Sequence, residues 1–306
     1  MLLIALLALV SGRAQAYSAL YAFGDSLTDT GNVFAANGIP LPPYFNGRFS
    51  NGPVWIETLA ANLGLSATPA TAVPGGTNFA FGGAATGSPP AVIGPTSPPT
   101  LIQQAGLFLS ATGGVADPNA LYVVFGGGND VRGGDITGSA GNIATVISTL
   151  AGAGAQNFLV PNLPDIGQTP EAIAGGPALQ AGATFLSTTF NTQLAGELAN
   201  LTATLGVNII QFDTFAFLNN ILANPASFGF TNVNTPCYSG TTGIGGPGTV
   251  CADPSQYVFW DGIHPTAATH QLFGDLAFQA VIPLPAAAWL FGSALGLLGW
   301  IRRRHA

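Results

Sequence analysis

Five short, largely apolar runs recur along the chain, and each ends in a turn that begins with glycine, proline or a polar residue. The runs cover residues 20–23, 78–81, 121–125, 157–160 and 207–212. Runs of this length, with apolar side chains in consecutive positions, are typical of strands buried on both faces of a parallel sheet. Helical patterns lie between them, at residues 53–63, 136–153, 177–205 and 266–280. Strands that alternate with helices predict an α/β fold with three layers and a mostly parallel sheet of five strands.

Two long segments without periodicity, residues 84–100 and 224–255, are rich in proline, glycine and small polar residues. In an α/β sheet, the loops at the carboxyl ends of the strands form the ligand site. We therefore expect these two loops to line a ligand pocket. No internal repeat or clear linker occurs, so we predict a single domain over residues 17–281.

The charge balance argues against one class of partner. Of 306 residues, 48% are hydrophobic and only 6% are charged, which is unlike a chain kept disordered by charge. There is no lysine, and four of the six arginines (Arg13 and residues 302–304) lie in the terminal segments. Thirteen acidic residues and two arginines leave the body with a formal charge of −11. Such a surface repels phosphate backbones, so nucleic acid is not an expected partner.

The first sixteen residues predict an export signal, which places the mature protein outside the cell or at its surface. The apolar core LLIALLALV, residues 2–10, is too short to span a bilayer comfortably. The triplet AQA at residues 14–16 fits the small-x-small cleavage pattern. A buried strand or helix is the alternative interpretation of this segment.

The last residues, 282–306, predict a sorting tail or a membrane anchor. Residues 286–301 carry no charge, and three arginines follow directly at 302–304. This apolar stretch approaches the ~20 residues of a membrane-spanning helix, with the arginines on the cytoplasmic side. The segment IPLPAAAWLFGSALGLLGWIRRR resembles the PEP-CTERM sorting tails of bacterial surface proteins, but with Pro-Leu-Pro in place of Pro-Glu-Pro. That departure leaves open whether a sorting protease cleaves the tail or whether the tail stays as an anchor.

Cys237 and Cys251 are the two cysteines of the chain, and they flank a glycine-rich loop. In an exported protein such a pair predicts one disulfide bond. Two free buried thiols are the alternative. A metal site is poorly supported, because no histidine lies near either cysteine.

The stretch YAFGDSLTDTGN places Ser26 directly after the first predicted strand. A serine there acts as a nucleophile only if a base reaches it. His305 lies in the basic tail and His270 lies inside the last predicted helix, which leaves His264 in FWDGIHPT as the candidate base. Asp261 precedes it by three residues, a spacing that can orient the imidazole and stabilise its charged form. A structural hydrogen bond is the alternative interpretation of this pair.

Two glycine-rich strand ends are candidates for binding an oxyanion. NFAFGGA ends in Gly82 and Gly83, whose N–H groups can approach a ligand closely. FGGGND ends in Asn129, whose side-chain amide can donate a hydrogen bond. Ordinary glycine turns are the alternative for each.

The blocks FGDSLTDTGN, GRFSNGPVWIE, NFAFGGA, FGGGND and WDGIHPT resemble those of the SGNH, or GDSL, hydrolase family, in the family's order. The resemblance extends over residues 20–278, and the bacterial lecithinase/hemolysin-like esterases are the most similar branch. It implies a flavodoxin-like α/β/α sandwich and a serine esterase that needs no cofactor. The family's nucleophile corresponds to Ser26, and its aspartate and histidine correspond to Asp261 and His264. Its oxyanion donors correspond to Ser26, Asn129 and Gly83, with Gly82 as a close rival to Gly83.

Two other signals in the sequence are discounted. GIGGPG, residues 243–248, matches a nucleotide-binding pattern, but it follows no strand and lies inside the cysteine loop. Asp25, Asp29 and Asp130 could form a metal cluster, but turn and supporting roles are the preferred interpretation.

The resemblance implies hydrolysis of small-molecule or lipid esters. A carbohydrate O-deacetylase acting on exported polysaccharide would use the same residues and is an alternative. A surface-anchored binding protein with an inactive hydrolase fold is the alternative from another class.

Overall fold

The computed structural model describes residues 17–71, 73–87 and 97–282. At the centre of this part of the chain lies a sheet of parallel strands in the order β1-β2-β3-β4. The strands are β1 Leu20–Gly24, β2 Leu121–Phe125, β3 Asn157–Pro161 and β4 Asn208–Phe212. The predicted α/β fold with a parallel sheet between helices is confirmed.

The fifth predicted strand, over residues 78–81, is present only as a single bridge beside β1. Its backbone follows β1: the N–H of Phe79 donates to the carbonyl of Ala22, and that of Phe81 donates to the carbonyl of Gly24. However, the N–H of Gly24 on β1 donates to the side chain of Gln104 (2.8 Å). A regular parallel ladder would use this N–H for a bond to the segment, so the described sheet has four full strands and not five.

The position of this segment explains where the sheet can bind a ligand. If the segment 78–81 is counted as the second of five strands along the chain, it lies on the outer side of β1. Numbered in this way, the five strands have the spatial order 2-1-3-4-5. That is the flavodoxin-like order, and the chain reverses its direction of progress between β1 and β2. Because ligands bind where the strand order reverses, the carboxyl ends of β1 and β2 are the expected location of a site.

Helices connect the strands. They are α1 Asn32–Asn37, α2 Trp55–Asn62, α3 Leu101–Ala111, α4 Gly128–Arg132, α5 Ser139–Gly152, α6 Pro170–Ala174, α7 Pro177–Leu205, α8 Thr214–Ala223 and α9 Ala267–Val281. Short 3-10 turns occur at Ile166–Gln168, Pro225–Phe228 and Pro254–Gln256. The four predicted helices correspond to α2, α5, α7 and α9, whereas the other five helices were not predicted.

The two faces of the sheet carry different helices. On one face, Phe108 of α3 packs edge-on against Tyr21 and Tyr122, and α5 and α7 continue this layer. On the other face, Trp55 of α2 stacks on Phe273 of α9 with ring centroids 4.4 Å apart. Successive strand residues point to opposite faces, so buried side chains of β1, β2 and β3 fill both layers of the core, whereas Phe212 is the one buried residue of β4.

The termini and one loop segment fall outside the described residues. Residues 1–16 carry the predicted export signal, residues 283–306 carry the predicted sorting tail except its first residue, and residues 88–96 form the middle of a predicted pocket loop. The signal and the tail stay predictions. Within the described ranges, the helices lack the combination of length and apolar character needed to cross a bilayer.

His270 is a buried histidine of the core and lies on α9, at the contact with α2. Its Nδ1 accepts a hydrogen bond from the N–H of Trp55 (3.2 Å), at the start of α2. The proton is therefore on Nε2, which has no hydrogen-bond partner among the described residues. Burial lowers the pKa of His270 to about 3, with the charge of His264 as a smaller cause.

The buried state of His270 predicts a loss of stability in mild acid. The unfolded chain binds a proton at His270 below about pH 6.5, whereas the folded chain does so only near pH 3. The unfolding free energy of the wild type should therefore fall, relative to that of His270→Asn, by about 2 kcal/mol between pH 7 and pH 5. Asparagine keeps an acceptor for the Trp55 N–H and does not titrate.

Urea unfolding of both proteins at pH 7, 6 and 5 measures this difference. Burial also raises the pKa values of Asp25 and Asp29 to about 6, but both groups are present in both proteins, so their contributions cancel in the comparison. A difference that stays constant with pH would contradict a neutral, buried His270.

Candidate active site

Ser26 lies in the tight turn that follows β1. The carbonyl of Asp25 accepts hydrogen bonds from the N–H groups of Thr28 and Asp29, and its side chain accepts one from the N–H of Leu27 (3.0 Å). Gly24 precedes this turn, where a Cβ atom would lie 2.5 Å from the carbonyl oxygen of Phe125 on β2. Only glycine allows this close approach, and the turn carries the serine hydroxyl at the carboxyl edge of the sheet.

The structure brings Ser26, His264 and Asp261 into one chain of hydrogen bonds. The hydroxyl oxygen of Ser26 lies 2.9 Å from Nε2 of His264. Nδ1 of His264 lies 2.6 Å from Oδ2 of Asp261. The loop holds Asp261 through its other oxygen, Oδ1, which accepts the N–H groups of Ile263 (2.8 Å) and His264 (2.7 Å).

The surroundings of Asp261 keep its carboxyl group charged. It is 0% exposed and His264 is 3% exposed. Burial opposes ionisation, but the charge of His264 and hydrogen bonds from His264 and Tyr44 outweigh it, so the pKa of Asp261 is lowered. A carboxylate at Oδ2 requires the His264 proton to be on Nδ1, which leaves the Nε2 lone pair facing the Ser26 hydroxyl. This arrangement can remove a proton from Ser26.

Two further residues contact Asp261, and neither was predicted from the sequence. The hydroxyl of Tyr44 donates to Oδ2 of Asp261. The N–H of Gly243 donates to the Tyr44 hydroxyl oxygen (2.7 Å) and lies 3.2 Å from Oδ2 of Asp261. Burial, followed by the charge of Asp261, raises the pKa of Tyr44. Since Tyr44 and Asp261 lie 217 positions apart, no local pattern connects them.

The predicted disulfide bond between Cys237 and Cys251 is present and closes the loop that carries Gly243. The same loop is hydrogen-bonded to the segment before Tyr44. The N–H of Leu41 donates to the carbonyl of Ile244 (2.8 Å), and the N–H of Gly246 donates to the carbonyl of Pro42 (2.9 Å). The loop of residues 237–251, called the disulfide loop below, therefore packs directly behind Asp261.

The candidate oxyanion donors differ in whether their N–H groups are engaged. The N–H of Gly82 donates to Oδ2 of Asp29 (2.9 Å) and is not available to a ligand. In the described part of the chain, the N–H groups of Ser26 and Gly83 have no hydrogen-bond acceptor. The Asn129 side chain donates one N–H to the carbonyl of Ala84 (2.9 Å) and has a second one to offer. The geometry therefore favours Gly83 over Gly82.

Two carboxylates hold the turns of the site together. Asp29 accepts the N–H groups of Gly31 and Asn32 (both 2.7 Å), of Val33 (3.2 Å) and of Gly82. Burial raises the pKa of Asp29 to about 6, although these bonds act in the opposite direction. This carboxylate connects the turn after Ser26 to the turn that carries Gly83.

Asp130 has the corresponding role on the other side of the site. It accepts hydrogen bonds from the N–H and the hydroxyl of Thr86 (3.1 and 2.7 Å) and from the hydroxyl of Ser139 (2.7 Å). It thereby joins the Gly83 turn to α4, which carries Asn129. No group of histidine, cysteine and acidic side chains suited to a metal ion occurs in the described ranges.

Two small pockets adjoin Ser26 and His264. The larger, of about 70 Å³, has apolar walls from Val33, Ile39, Phe49 and Ile244. The smaller, of about 40 Å³, is walled by Leu27, Ile166 and Thr169. Ser26, Asn129, Arg132, Ile263 and His264 line both. The two predicted loops contribute Pro98 and residues 242–244 to the larger pocket.

The chain is similar in sequence to a family of lipases and acylhydrolases and to individual members of curated protein sets. The family model for GDSL-like lipase/acylhydrolase matches residues 20–277. Esterase EstA of Pseudomonas aeruginosa is 33% identical in an alignment 338 residues long, which covers 93% of this chain and 50% of EstA. The thermolabile hemolysin of Vibrio parahaemolyticus is 28% identical over 280 residues, which cover 85% of this chain and 62% of that protein.

A solved structure of a lipolytic G-D-S-L family member from Veillonella parvula aligns with a TM-score of 0.47 and 16% identity. The alignment covers 85% of this chain and 96% of that one. The chain spans about half the length of curated relatives such as EstA.

Closure of the disulfide loop predicts a measurable contribution to stability. In the chain-entropy description, a closed loop of this size adds about 3 kcal/mol to the free energy of unfolding. The double variant Cys237→Ser/Cys251→Ser should be less stable than the wild type by about this amount. Urea unfolding with and without a reducing agent measures it, and the double variant should not respond to the reductant. Equal stability of the oxidised and reduced wild type would contradict the prediction.

Proposed function

The chain belongs to the GDSL-like lipase/acylhydrolase family, and we propose that it is a serine esterase that hydrolyses carboxylic esters through Ser26, His264 and Asp261. One observation carries the proposal. An unbroken hydrogen-bonded chain runs from the Ser26 hydroxyl to the buried Asp261 carboxylate, beside N–H groups that have no acceptor within the described residues. This combination supplies a nucleophile, a base and an oxyanion site in one place.

In the first step, Nε2 of His264 takes the hydroxyl proton as the oxygen of Ser26 attacks the ester carbonyl carbon. Asp261 stabilises the imidazolium that forms and holds the ring in the required tautomer. The tetrahedral oxyanion binds to the N–H groups of Ser26 and Gly83 and to the Asn129 amide. His264 then returns the proton to the alcohol oxygen as the carbon–oxygen bond breaks.

In the second step, water replaces the alcohol. His264 removes a proton from the water, and the hydroxide attacks the acyl-enzyme carbonyl. The same donors bind the second oxyanion. Protonation of the Ser26 oxygen releases the carboxylic acid and restores the resting enzyme.

The volumes of the two pockets support a small acyl group. At about 70 Å³ and 40 Å³ they accommodate only a few heavy atoms each, unlike the several hundred cubic ångströms of a typical drug-sized pocket. We therefore expect short-chain esters to be preferred. The small volume of the pockets also suits acetyl groups on carbohydrate, which are the second candidate substrate. A panel of p-nitrophenyl esters, acetylated xylan and phospholipid vesicles distinguishes these substrates.

An oxidising compartment suits the protein. Its disulfide bond is typical of exported proteins, and the pattern of residues 1–16 favours export. We expect the esterase to act outside the cell or at its surface. Retention by the tail stays a prediction from the sequence.

Replacement of the nucleophile tests the mechanism directly. Ser26→Ala should lower kcat on p-nitrophenyl acetate by about 10³-fold or more, since the attacking oxygen is lost. Ser110→Ala, at an exposed helix position, is the control and should keep wild-type rates. A fluorophosphonate probe should label the wild type at Ser26 and leave Ser26→Ala unlabelled. An unlabelled wild type with no hydrolysis would instead indicate the non-catalytic binding protein.

The oxyanion role of Asn129 has its own test. Asn129→Ala should lower kcat by about 100-fold with the fold intact, because a donor to the transition state is lost. Asn142→Ala is the matched control. Asn142 donates to the hydroxyl of Thr86 (3.1 Å), two residues after Ala84, the acceptor of Asn129, but Asn142 lines neither pocket. Steady-state kinetics and circular dichroism of both variants decide the matter. Equal losses of kcat in the two variants would argue against a role for Asn129 at the oxyanion.

A further inference from the structure

We propose that Tyr44 is a positioning residue for the reaction, which acts through Asp261, and that the disulfide loop completes this support with the N–H of Gly243. The inference rests on the proposed function and extends the hydrogen-bonded chain by two members. Tyr44 lines neither pocket, whereas Gly243 is part of the wall of the larger one. Both act on the carboxylate that orients His264.

The hydrogen bonds around Tyr44 have a fixed direction. A phenol oxygen accepts from the N–H of Gly243 (2.7 Å), and a backbone N–H can only donate. The phenol proton is thus free to donate to Oδ2 of Asp261. Oδ2 of Asp261 is the same oxygen that accepts the Nδ1 proton of His264. Tyr44 and His264 therefore share one acceptor atom.

The packing around Tyr44 keeps this geometry rigid. The Tyr44 ring is 4% exposed and meets Tyr238 and Trp260 edge-on, with centroids 5.6 Å and 6.1 Å away. Tyr238 and Trp260 stack on each other at 5.6 Å. This cluster also contains Cys237, so the disulfide loop and Tyr44 form one packed unit behind Asp261.

The chemistry follows from the shared oxygen. A donor to a carboxylate stabilises its charge and weakens its attraction for other protons. If the Tyr44 hydroxyl is removed, Asp261 should hold the His264 proton more strongly, and the imidazolium should persist to higher pH. The carboxylate also loses a contact that fixes its angle, so fewer enzyme molecules present His264 in line with Ser26.

Other titratable groups lie nearby and have to be accounted for. Asp261 faces His264, Tyr44 and, at longer range, Tyr238. His264 also interacts with the charges of Asp25 and His270. Burial raises the pKa of Asp25 to about 6, so it titrates in the range of the expected acid limb. Every variant compared below retains Asp25 and His270, and differences between profiles therefore report on Asp261.

The test compares Tyr44→Phe with Tyr238→Phe. Each change removes one phenol oxygen from the same aromatic cluster, but the hydroxyl of Tyr238 donates to the carbonyl of Gly246 (2.8 Å) and not to Asp261. Hydrolysis of p-nitrophenyl acetate is measured from pH 4.5 to 9 for both variants and the wild type. Thermal unfolding verifies that each variant is folded.

Tyr44→Phe should lower kcat roughly 10-fold with KM within about twofold, and should move the acid limb of kcat/KM up by roughly 0.5 pH unit. Tyr238→Phe should leave both quantities close to wild type. A loss of kcat without a shift of the acid limb, or the same shift in Tyr238→Phe, would show that Tyr44 only packs. Wild-type behaviour of Tyr44→Phe overturns the inference as well.

Failure of the inference can be told apart from failure of the proposed function. If Ser26→Ala retains hydrolysis, the serine mechanism is wrong. If Ser26→Ala is inactive and Tyr44→Phe behaves like the wild type, the mechanism stands and only the role of Tyr44 is rejected.

Discussion

The register of β1 against β2 is the constraint from which the site follows. Gly24 pairs with Phe125 across the two parallel strands, so both strands end at the same level of the sheet. The approach is so close that no Cβ fits at Gly24, and the side chain of Gln104 bridges its N–H and carbonyl groups (both 2.8 Å). Ser26 and α4 consequently leave the sheet side by side. A shift by one residue would turn every strand side chain to the other face and separate Ser26 from Asn129.

Carboxylates that are buried or, at Asp130, half-buried then hold these neighbouring turns together as one unit. Asp29, Asp130 and Asp261 each accept several hydrogen bonds from different parts of the chain. A buried charge is costly unless it is satisfied in this way, so each carboxylate holds its turn in one conformation. The chain has few charges, and several of its acidic side chains are used for this purpose. The proposed oxyanion donors and the proposed base are thereby held in place in the absence of a ligand.

The sequence predicted the parts of the site that are encoded locally. Ser26 follows an apolar run, Asp261 and His264 lie three residues apart, and the cysteines enclose a single glycine-rich loop. The structure brings the first three together and joins the cysteines. The long helix α7 begins and ends at the predicted residues because Pro177 and Gly206 mark its ends.

What the sequence did not predict depends on contacts between distant segments. Tyr44 and Gly243 meet Asp261 only after the disulfide loop has packed, and the choice of Gly83 over Gly82 is made by Asp29. The helix α3 was missed although Thr100 and Gln103 form a capping box at its start. The segment 78–81 was predicted as a full strand because its apolar pattern does not reveal that the distant Gln104 side chain takes the N–H of Gly24.

The disulfide loop couples the chemistry of the site to the redox state of the surroundings. With Cys237 and Cys251 reduced, the segment that presents Gly243 is no longer tied at both ends, and the support behind Asp261 is loosened. The oxidation state of two thiols thus reaches, through the backbone between them, the hydrogen bonds that hold the Asp261 carboxylate.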